Sequence, residues 1–521
     1  MLHLTLIVAA LVIFAFSRAF KFLNGLQAVG HSSGFRCALS PFSSLSMVLP
    51  TRLNSFFTNV GINFVWDLQR SENHIISVVP WLLGPPTIYV SSVELMRQVL
   101  RHTDNFDKQE LELGSQLLGE NIVSTQKEKW KVHRKIVHPA FSQKLSALVW
   151  KEGIRNYYEM LSSKGWDTQS TVTPSVINDL TSKFTFSVIS SCVFGLPITW
   201  SESKATSEKE MSLQECVMIM ASNISLRMLT PRWAYLLPIE RLRRVEAGFT
   251  NIFAFMKSQV AYRLDSIRKN EMVEDDDLGT NTVFNNIVKA SVDGGKFTLN
   301  EGEVIGNTFV MLFAGHETSS RTLTAALALL GLYQDKQEQA LFEIERVLPG
   351  RREPIIQDFE SFKYILNIIQ ETMRLYPPIP LVVREAIQDT LLTITDPTTG
   401  QKVRDVVIKK GTLACINILR IHHDPRYFPD PEEFEPSRWN DDTAAHDAFL
   451  GFSHGTRACI GRKFALAEMI CFLVMLLRDW RVDVEFESDE SPEQWRNRVL
   501  TSKAHAAHGL GPVALRLTRR K

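Results

Sequence analysis

The sequence predicts a mainly α fold with a small β region, and three observations carry that expectation. From about residue 126 onward apolar residues recur at helical spacing, with no repeat period. The stretch Glu301 to Gln334 holds no proline and is apolar nearly all round its middle. At about 1.5 Å per residue it makes a helix of roughly 50 Å, long enough to cross a whole domain. Strand-like runs are short and few: Ile75 to Leu82, Thr87 to Val90, Leu381 to Arg384, Leu391 to Thr395 and Leu413 to Ile416.

The 521 residues include 58 basic and 57 acidic side chains. Length alone predicts two or three domains, and the balanced charge excludes a nucleic-acid binder that relies on a basic surplus. Six cysteines, at 37, 192, 216, 415, 459 and 471, are too widely spaced for a disulfide framework or an iron–sulfur cluster. Reduced thiols facing a cytosolic compartment are expected.

Leu2 to Phe16 is apolar apart from His3 and Thr5, and Arg18 and Lys21 follow it. Ala19, Phe20, Phe22 and Leu23 extend the run toward the ~20 residues that a membrane span needs. The charges come after the apolar core, not before it. Residues 1–23 are therefore expected to be a transmembrane anchor rather than a cleaved signal peptide, with the body on the cytosolic side. Residues 24–50, with scattered Gly, Ser and Pro, are expected to be a linker, and residues 51–521 the folded body.

In that body Gly84-Pro85-Pro86 separates the first two strands, which predicts a hairpin at a sheet edge where Pro80 is tolerated. Ser92 caps a helix over Val93 to Arg101. Helices are expected around 142–163, 176–194 and 246–269. Met228 to Pro238, with Trp233 and Tyr235, is an apolar loop that either joins the core or dips into a membrane interface. The acidic run Glu274 to Asp277 is expected in a solvated loop.

The chemistry concentrates in Phe452-Ser453-His454-Gly455-Thr456-Arg457-Ala458-Cys459-Ile460-Gly461. A metal-binding thiolate must be open to the metal on one side and supported by N–H donors on the other. Gly455 can take a positive φ, Gly461 permits close approach, and the following helix offers its N-terminal dipole. Cys459 is thus expected to be a low-pKa thiolate. In the long helix, Ala314-Gly315-His316-Glu317-Thr318 places two small residues, an acid and a hydroxyl where an apolar core is the rule. Glycine costs about 1 kcal/mol there, so the small pair is expected to leave room for a ligand. Trp130 and Arg134 share a helix face. Glu371 and Arg374 stand three apart on an apolar helix that Pro377 and Pro378 end, and a pair buried there demands a third partner.

The ten-residue stretch resembles the haem-binding loop of the cytochrome P450 family, Phe-x-x-Gly-x-Arg-x-Cys-x-Gly. Phe452, Gly455, Arg457, Cys459 and Gly461 match every fixed position. Thr456 stands where many relatives have proline, and His454 occupies a variable position from which it would reach a propionate. The resemblance, over residues 51–521, implies the cytochrome P450 fold, with haem b between the long central helix and the Cys459 loop. Cys459 would be the axial ligand to iron. Trp130, Arg134, Arg384 and Arg457 would hold the propionates, and Glu317 and Thr318 would form the acid–alcohol proton relay for O–O cleavage. Val310, Phe313, Ala314 and Ile379 would line the distal pocket, and Glu371, Arg374 and Arg438 would form a structural network that holds the Cys loop.

A microsomal, fungal-like haem-thiolate monooxygenase anchored in the endoplasmic reticulum membrane is therefore expected. It would insert one atom of O2 into an apolar, terpenoid- or lipid-like specialised metabolite. The sequence has no Gly-x-Gly-x-x-Gly segment, so electrons are expected from NADPH through a separate cytochrome P450 reductase, with cytochrome b5 as a second donor. Lys127, Lys129, Lys131, Lys135, Arg462 and Lys463 offer a basic docking face. Two alternatives stay open, an electron-independent isomerase or dehydratase of the same fold and a non-catalytic haem sensor. The Glu317–Thr318 pair counts against both.

Overall fold

The structure is a computed structural model. It describes all residues except 1, 48–73, 102, 110–118, 175, 197, 201–210, 270–282, 293–296, 397–400, 441–443 and 504–507. The acidic run Glu274 to Asp277 lies outside the described residues. In chain order the elements are α1 (Leu2–Ala28), β1 (Gly34–Leu39), β2 (Ile75–Leu83), β3 (Thr87–Val90), α2 (Val93–Arg101), β4 (Phe106–Asp107), α3 (Lys127–Val137) and α4 (Gln143–Lys164). Next come β5 (Thr171–Val172), α5 (Ile177–Phe194), α6 (Leu213–Leu229), α7 (Glu240–Arg268), α8 (Val283–Lys289), α9 (Glu301–Leu332), α10 (Gln334–Val347) and α11 (Lys363–Leu375). They are followed by β6 (Leu381–Ala386), β7 (Thr390–Thr395), β8 (Lys402–Ile408), β9 (Leu413–Asn417), α12 (Ile418–His422), α13 (Ala444–Ala448) and α14 (Arg462–Asp479). The last are β10 (Trp480–Val484), α15 (Pro492–Val499), β11 (Ser502–Lys503), β12 (Gly509–Leu510) and β13 (Leu515–Arg519). The fold is thus mostly helical with small sheets.

The described chain divides into two compact units. The first comprises Met1–Gln109, Ile379–Glu432 and Thr443–Ala458. Its centre is a six-stranded sheet in the order β1-β2-β3-β9-β6-β4. Ser92 caps α2 by accepting from Leu95 N. Two expectations are corrected here. Residues 34–39, read as part of a linker, form β1 and pair parallel with β2 from Gly34↔Ser77 onward, while α1 runs on to Ala28. A six-residue strand at a sheet margin is too short for its period to stand out. The β2–β3 hairpin is also interior, because β3 pairs with β9 on its other side. Pro80 is tolerated for another reason. Pairing of β2 with β3 ends at Val78↔Thr87, so the missing N–H of Pro80 breaks no ladder on that side.

The second unit comprises Glu110–Pro378, Glu433–Asp442 and Cys459–Lys521. Its long helix α9 opens with a capping box. Asn300 accepts from Glu303 N at 2.9 Å while Glu303 accepts from Asn300 N at 2.9 Å. α4 and α5 end at Gly165 (φ 64°) and Gly195 (φ 67°), the left-handed stop for which glycine is suited. α7 begins before residue 246 because its first turn is polar, with Glu240, Arg241, Arg243 and Arg244, and hides the apolar period. α14 is buried from Leu466 to Arg478, which makes it a core helix of the unit. The C-terminal tail folds back, with His508 N bonded to Pro378 O at 2.8 Å and Gly509 packed on the Arg321 side chain.

Candidate active site

In the second unit Cys459 precedes α14 by three residues. The six cysteines are all free, five are buried, and Cys459 is exposed. The loop packed about its sulfur pushes the thiol up from its ordinary value, against the pull of the Gly461 N–H and the Arg462 and Arg134 charges. The donors pull in the expected direction, and desolvation opposes them. Added bulk at Gly461 would first meet the Phe141 ring at 3.7 Å, so the glycine leaves a flat group room to approach.

Arg134 on α3 lies over the Trp130 ring at 5.6 Å. Burial lowers its pKa, and Cys459 opposes that shift. The pair is thus on one helix face and in electrostatic reach of the sulfur. His133 beside it, which sequence reasoning passed over, is fully buried with Nδ1 bonded to Asn307 Nδ2 at 2.8 Å.

On α9 the two small residues serve different neighbours. A Cβ on Gly315 would meet Ile189 Cδ1 of α5 at 2.6 Å, so this glycine lets two helices approach. Ala314 is exposed, and Thr318 one turn later is part-exposed, on a helix that is otherwise mostly buried. Only Ala314 of the pair leaves open space, because adjacent helical positions point about 100° apart. Thr318 Oγ1 donates to Ala314 O at 2.9 Å. Glu317 is buried and accepts from Arg321 Nε at 3.0 Å and Nη2 at 2.9 Å. His316 is buried too, with Nε2 against Ser182 Oγ at 2.9 Å, and burial brings its pKa down to about 4. Val310 is buried, and Phe313 stacks on Phe309 with centroids 5.9 Å apart. Ile379 belongs to the first unit and is 46% exposed.

The structure brings Glu371, Arg374 and Arg438 together. Glu371 accepts from Arg374 Nε and Nη2 at 2.9 Å each and from Arg438 Nε at 3.0 Å. Trp439 Nε1 and Glu435 N also donate to it at 3.0 Å, two partners that spacing along α11 does not reveal.

In the first unit Arg457 pairs with Asp107 at 2.8 Å, both buried. Arg384 is buried nearby, and burial followed by the charge of Arg457 brings its guanidinium down to about 10. Lys108, which sequence reasoning missed, joins them. Burial and the neighbouring Arg384 and Arg457 bring its ammonium down to about 7, with Asp107 opposing. Three cations gathered about Asp107 form a donor set that suits a group with two carboxylates. His454 does not contribute to this cluster, since its ring N–H donates to Phe449 O at 3.0 Å. Two features of the loop itself are Gly455 at φ 76°, where a Cβ would meet Leu100 O at 2.6 Å, and Ser453, left-handed at φ 58° without being glycine.

The family model for cytochrome P450 matches residues 52–508. Cytochrome P450 monooxygenase 124 of Postia placenta is 30% identical over 515 residues, which cover 96% of each chain. Cyclooctat-9-en-7-ol 5-monooxygenase of Streptomyces melanosporofaciens is 27% identical over 406 residues, 77% of this chain and 81% of its own. Among solved structures the haem domain of cytochrome P450DA superposes with a TM-score of 0.71, covering 88% of this chain and 93% of its own at 21% identity, a likeness of fold. A family model matched along most of the chain, and a monooxygenase relative aligned almost end to end, establish that the protein belongs to the cytochrome P450 family of haem-thiolate monooxygenases.

Proposed function

We propose that this P450 is a membrane-anchored monooxygenase of an apolar small molecule, supplied with electrons from NADPH by a separate flavoprotein reductase. Cys459 carries the reading, as the one exposed thiol, in a loop with an N–H donor to the sulfur and two guanidinium charges acting on it. In the second unit Cys459 Sγ would hold the iron and Trp130 and Arg134 a propionate; in the first unit Arg384, Arg457 and the newly found Lys108 are a set of cations suited to propionates. Bound haem supplies the oxygen chemistry: with two electrons and two protons, one atom of O2 enters a substrate C–H bond and the other leaves as water.

The remaining steps fall to the protein's own side chains. Thr318 Oγ1 holds a proton one turn from the open surface at Ala314 and exchanges its Ala314 acceptor for a reacting oxygen. Glu317, once it has released Arg321 and taken a proton from water, would pass that proton on to Thr318 Oγ1, so the ion pair gates the relay. Val310, Phe313, Ala314 and Ile379 present no charge, which suits a lipid- or terpenoid-like substrate. The relative named for cyclooctat-9-en-7-ol is in keeping with this. Glu371, Arg374, Arg438 and Trp439 hold the segment that precedes the Cys loop and have no chemical role.

The membrane reading is supported by the exposed apolar surface of α1 and by Trp233 and Leu236, which are 66% and 84% exposed in the loop after α6. Of the basic docking face, Lys129 is paired with Glu120 and Glu303 and Lys131 with Glu128, which weakens the attraction of these two for a reductase. Cytochrome b5 would compete for the same face.

The deciding experiment is the carbon monoxide difference spectrum of the reduced, haem-loaded protein. A thiolate-type band in the wild type, lost in Cys459→Ser, is expected, and a histidine-type spectrum overturns the assignment. Product that forms without NADPH and reductase would favour the isomerase or dehydratase reading.

A further inference from the structure

We infer that Gly509, in the C-terminal tail of the second unit, is a positioning residue of the proton relay, whose bare backbone holds Arg321 against Glu317. This rests on the reading of Glu317 and Thr318 as that relay. Arg321 follows Glu317 by one turn of α9. Its two bonds, from Nε at 3.0 Å and Nη2 at 2.9 Å, end on a single carboxylate oxygen, Oε1. A pair at this spacing is weak when its side chains are free, because closing it freezes several rotatable bonds. A neighbour that restricts the arginine stem beforehand removes that cost.

The tail is that neighbour. Gly509 and Leu510 are both buried and pair with Lys503 and Ser502 in the β11–β12 hairpin. A Cβ on Gly509 would stand 3.2 Å from Arg321 Cγ and 3.3 Å from Nε, and closer still to the Cδ between them. The tail backbone therefore lies directly along the stem, an approach that only glycine permits. Bonds on both sides of Gly509 fix its height. Before it, His508 N donates to Pro378 O at 2.8 Å. After it, Asn178 of α5 donates from Nδ2 to Gly511 O at 3.0 Å and accepts from Val513 N at 3.0 Å. One turn along each helix from Asn178 and Arg321, Thr181 and Thr324 join α5 to α9 through their hydroxyls at 2.8 Å. Tail and arginine are thus referred to the same pair of helices.

Arg321 also borders a cavity of about 180 Å3 whose wall includes Asp179 and Ser320 as well as Glu317. A released guanidinium has space and a second carboxylate to turn to, so contact with Gly509 is what keeps it on Glu317. The atoms that a new Cβ would meet belong to a flexible side chain, and Gly509→Ala is accommodated by displacing Arg321 while the fold is kept.

The test uses the haem-loaded full chain. Urea unfolding of wild type, Glu317→Gln, Arg321→Gln and the double variant gives the factor by which the pair stabilises the fold, and the same four chains carrying Gly509→Ala give it without the glycine. The factor is expected to be severalfold with the glycine and to fall close to unity without it. Asn178→Ala, which loosens the tail and leaves Gly509 in place, is expected to lower it too and replaces Gly509→Ala if that variant does not retain haem. With a cytochrome P450 reductase and no added substrate, hydrogen peroxide released per NADPH is then followed from pH 6 to pH 8. Gly509→Ala is expected to displace that profile in the same direction as Arg321→Gln, and the two together no further than Arg321→Gln alone. An unchanged factor, or displacements that add, overturns the positioning role. A lowered factor with every profile unmoved keeps the hold of the tail on Arg321 and overturns the relay reading, and with it the part of Gly509 in catalysis.

Discussion

Trp439 donates its indole N–H to Glu371 at 3.0 Å, on the same carboxylate that Arg374 grips through two nitrogens 2.9 Å away. With Arg438 Nε and Glu435 N, the carboxylate receives five donors while fully buried. Its charge is compensated only if the set stays complete. Glu371→Ala would strand two guanidinium groups and is expected to cost about 3–5 kcal/mol, whereas Trp439→Phe removes one neutral donor and is expected to cost about 1 kcal/mol. Denaturant unfolding of both variants checks the ratio.

His316 gives acid sensitivity of a defined sign. Its pKa falls from 6.5 unfolded to about 4 folded, chiefly by burial. The unfolded chain therefore binds more protons between those values. The stability this provides is complete above 6.5 and is lost as pH falls toward 4, amounting to about 3 kcal/mol. His316→Gln is expected to flatten that part of the stability curve, measured as melting temperature against pH.

Glu468 shows the opposite sign. It is fully buried on α14, and burial pushes its carboxyl far above 4.5 against the weaker opposing pull of the Ser319 hydroxyl. The folded chain keeps a proton that the unfolded chain loses, so stability present below 4.5 declines as pH rises. Glu468→Gln is expected to raise stability at pH 7 by about 1–3 kcal/mol, with no gain in acid. Equal melting temperatures at pH 7 would contradict a neutral Glu468.

Lys108 titrates near neutrality, and Arg does not. Propionates favour the charged ammonium, so haem affinity should fall as pH rises through about 7. Lys108→Arg should flatten that dependence. Haem transfer to apomyoglobin between pH 6 and pH 8, compared in wild type and variant, reads it directly.

Thr318→Ala is expected to lower product formed per NADPH by about tenfold or more. Arg321→Gln frees Glu317 from its ion pair and is expected to move the pH profile of that ratio without abolishing it. Unchanged coupling in both variants would remove the relay role.

Much of this protein was legible along the chain, because the relevant information is local. The Cys459 loop is ten consecutive residues, the long helix follows from a run without proline, and α2 announces its own cap at Ser92. Tertiary packing alone decided what each side chain faces. Gly315 looks like a gap for a ligand in sequence but meets Ile189, and Arg321, one turn on, is the partner that holds Glu317. β1 was invisible because six residues carry too little period, and it exists through pairing with β2, about forty residues away. Lys108 joins Arg384 and Arg457, which lie far downstream in the chain, and Arg18 and Lys21 find Leu82 across a segment that looks like a linker. Residue type and spacing determine which elements and chemistries are available. Which groups share one dry site is set by the free energy of burying them together, and that depends on neighbours that are distant in the chain.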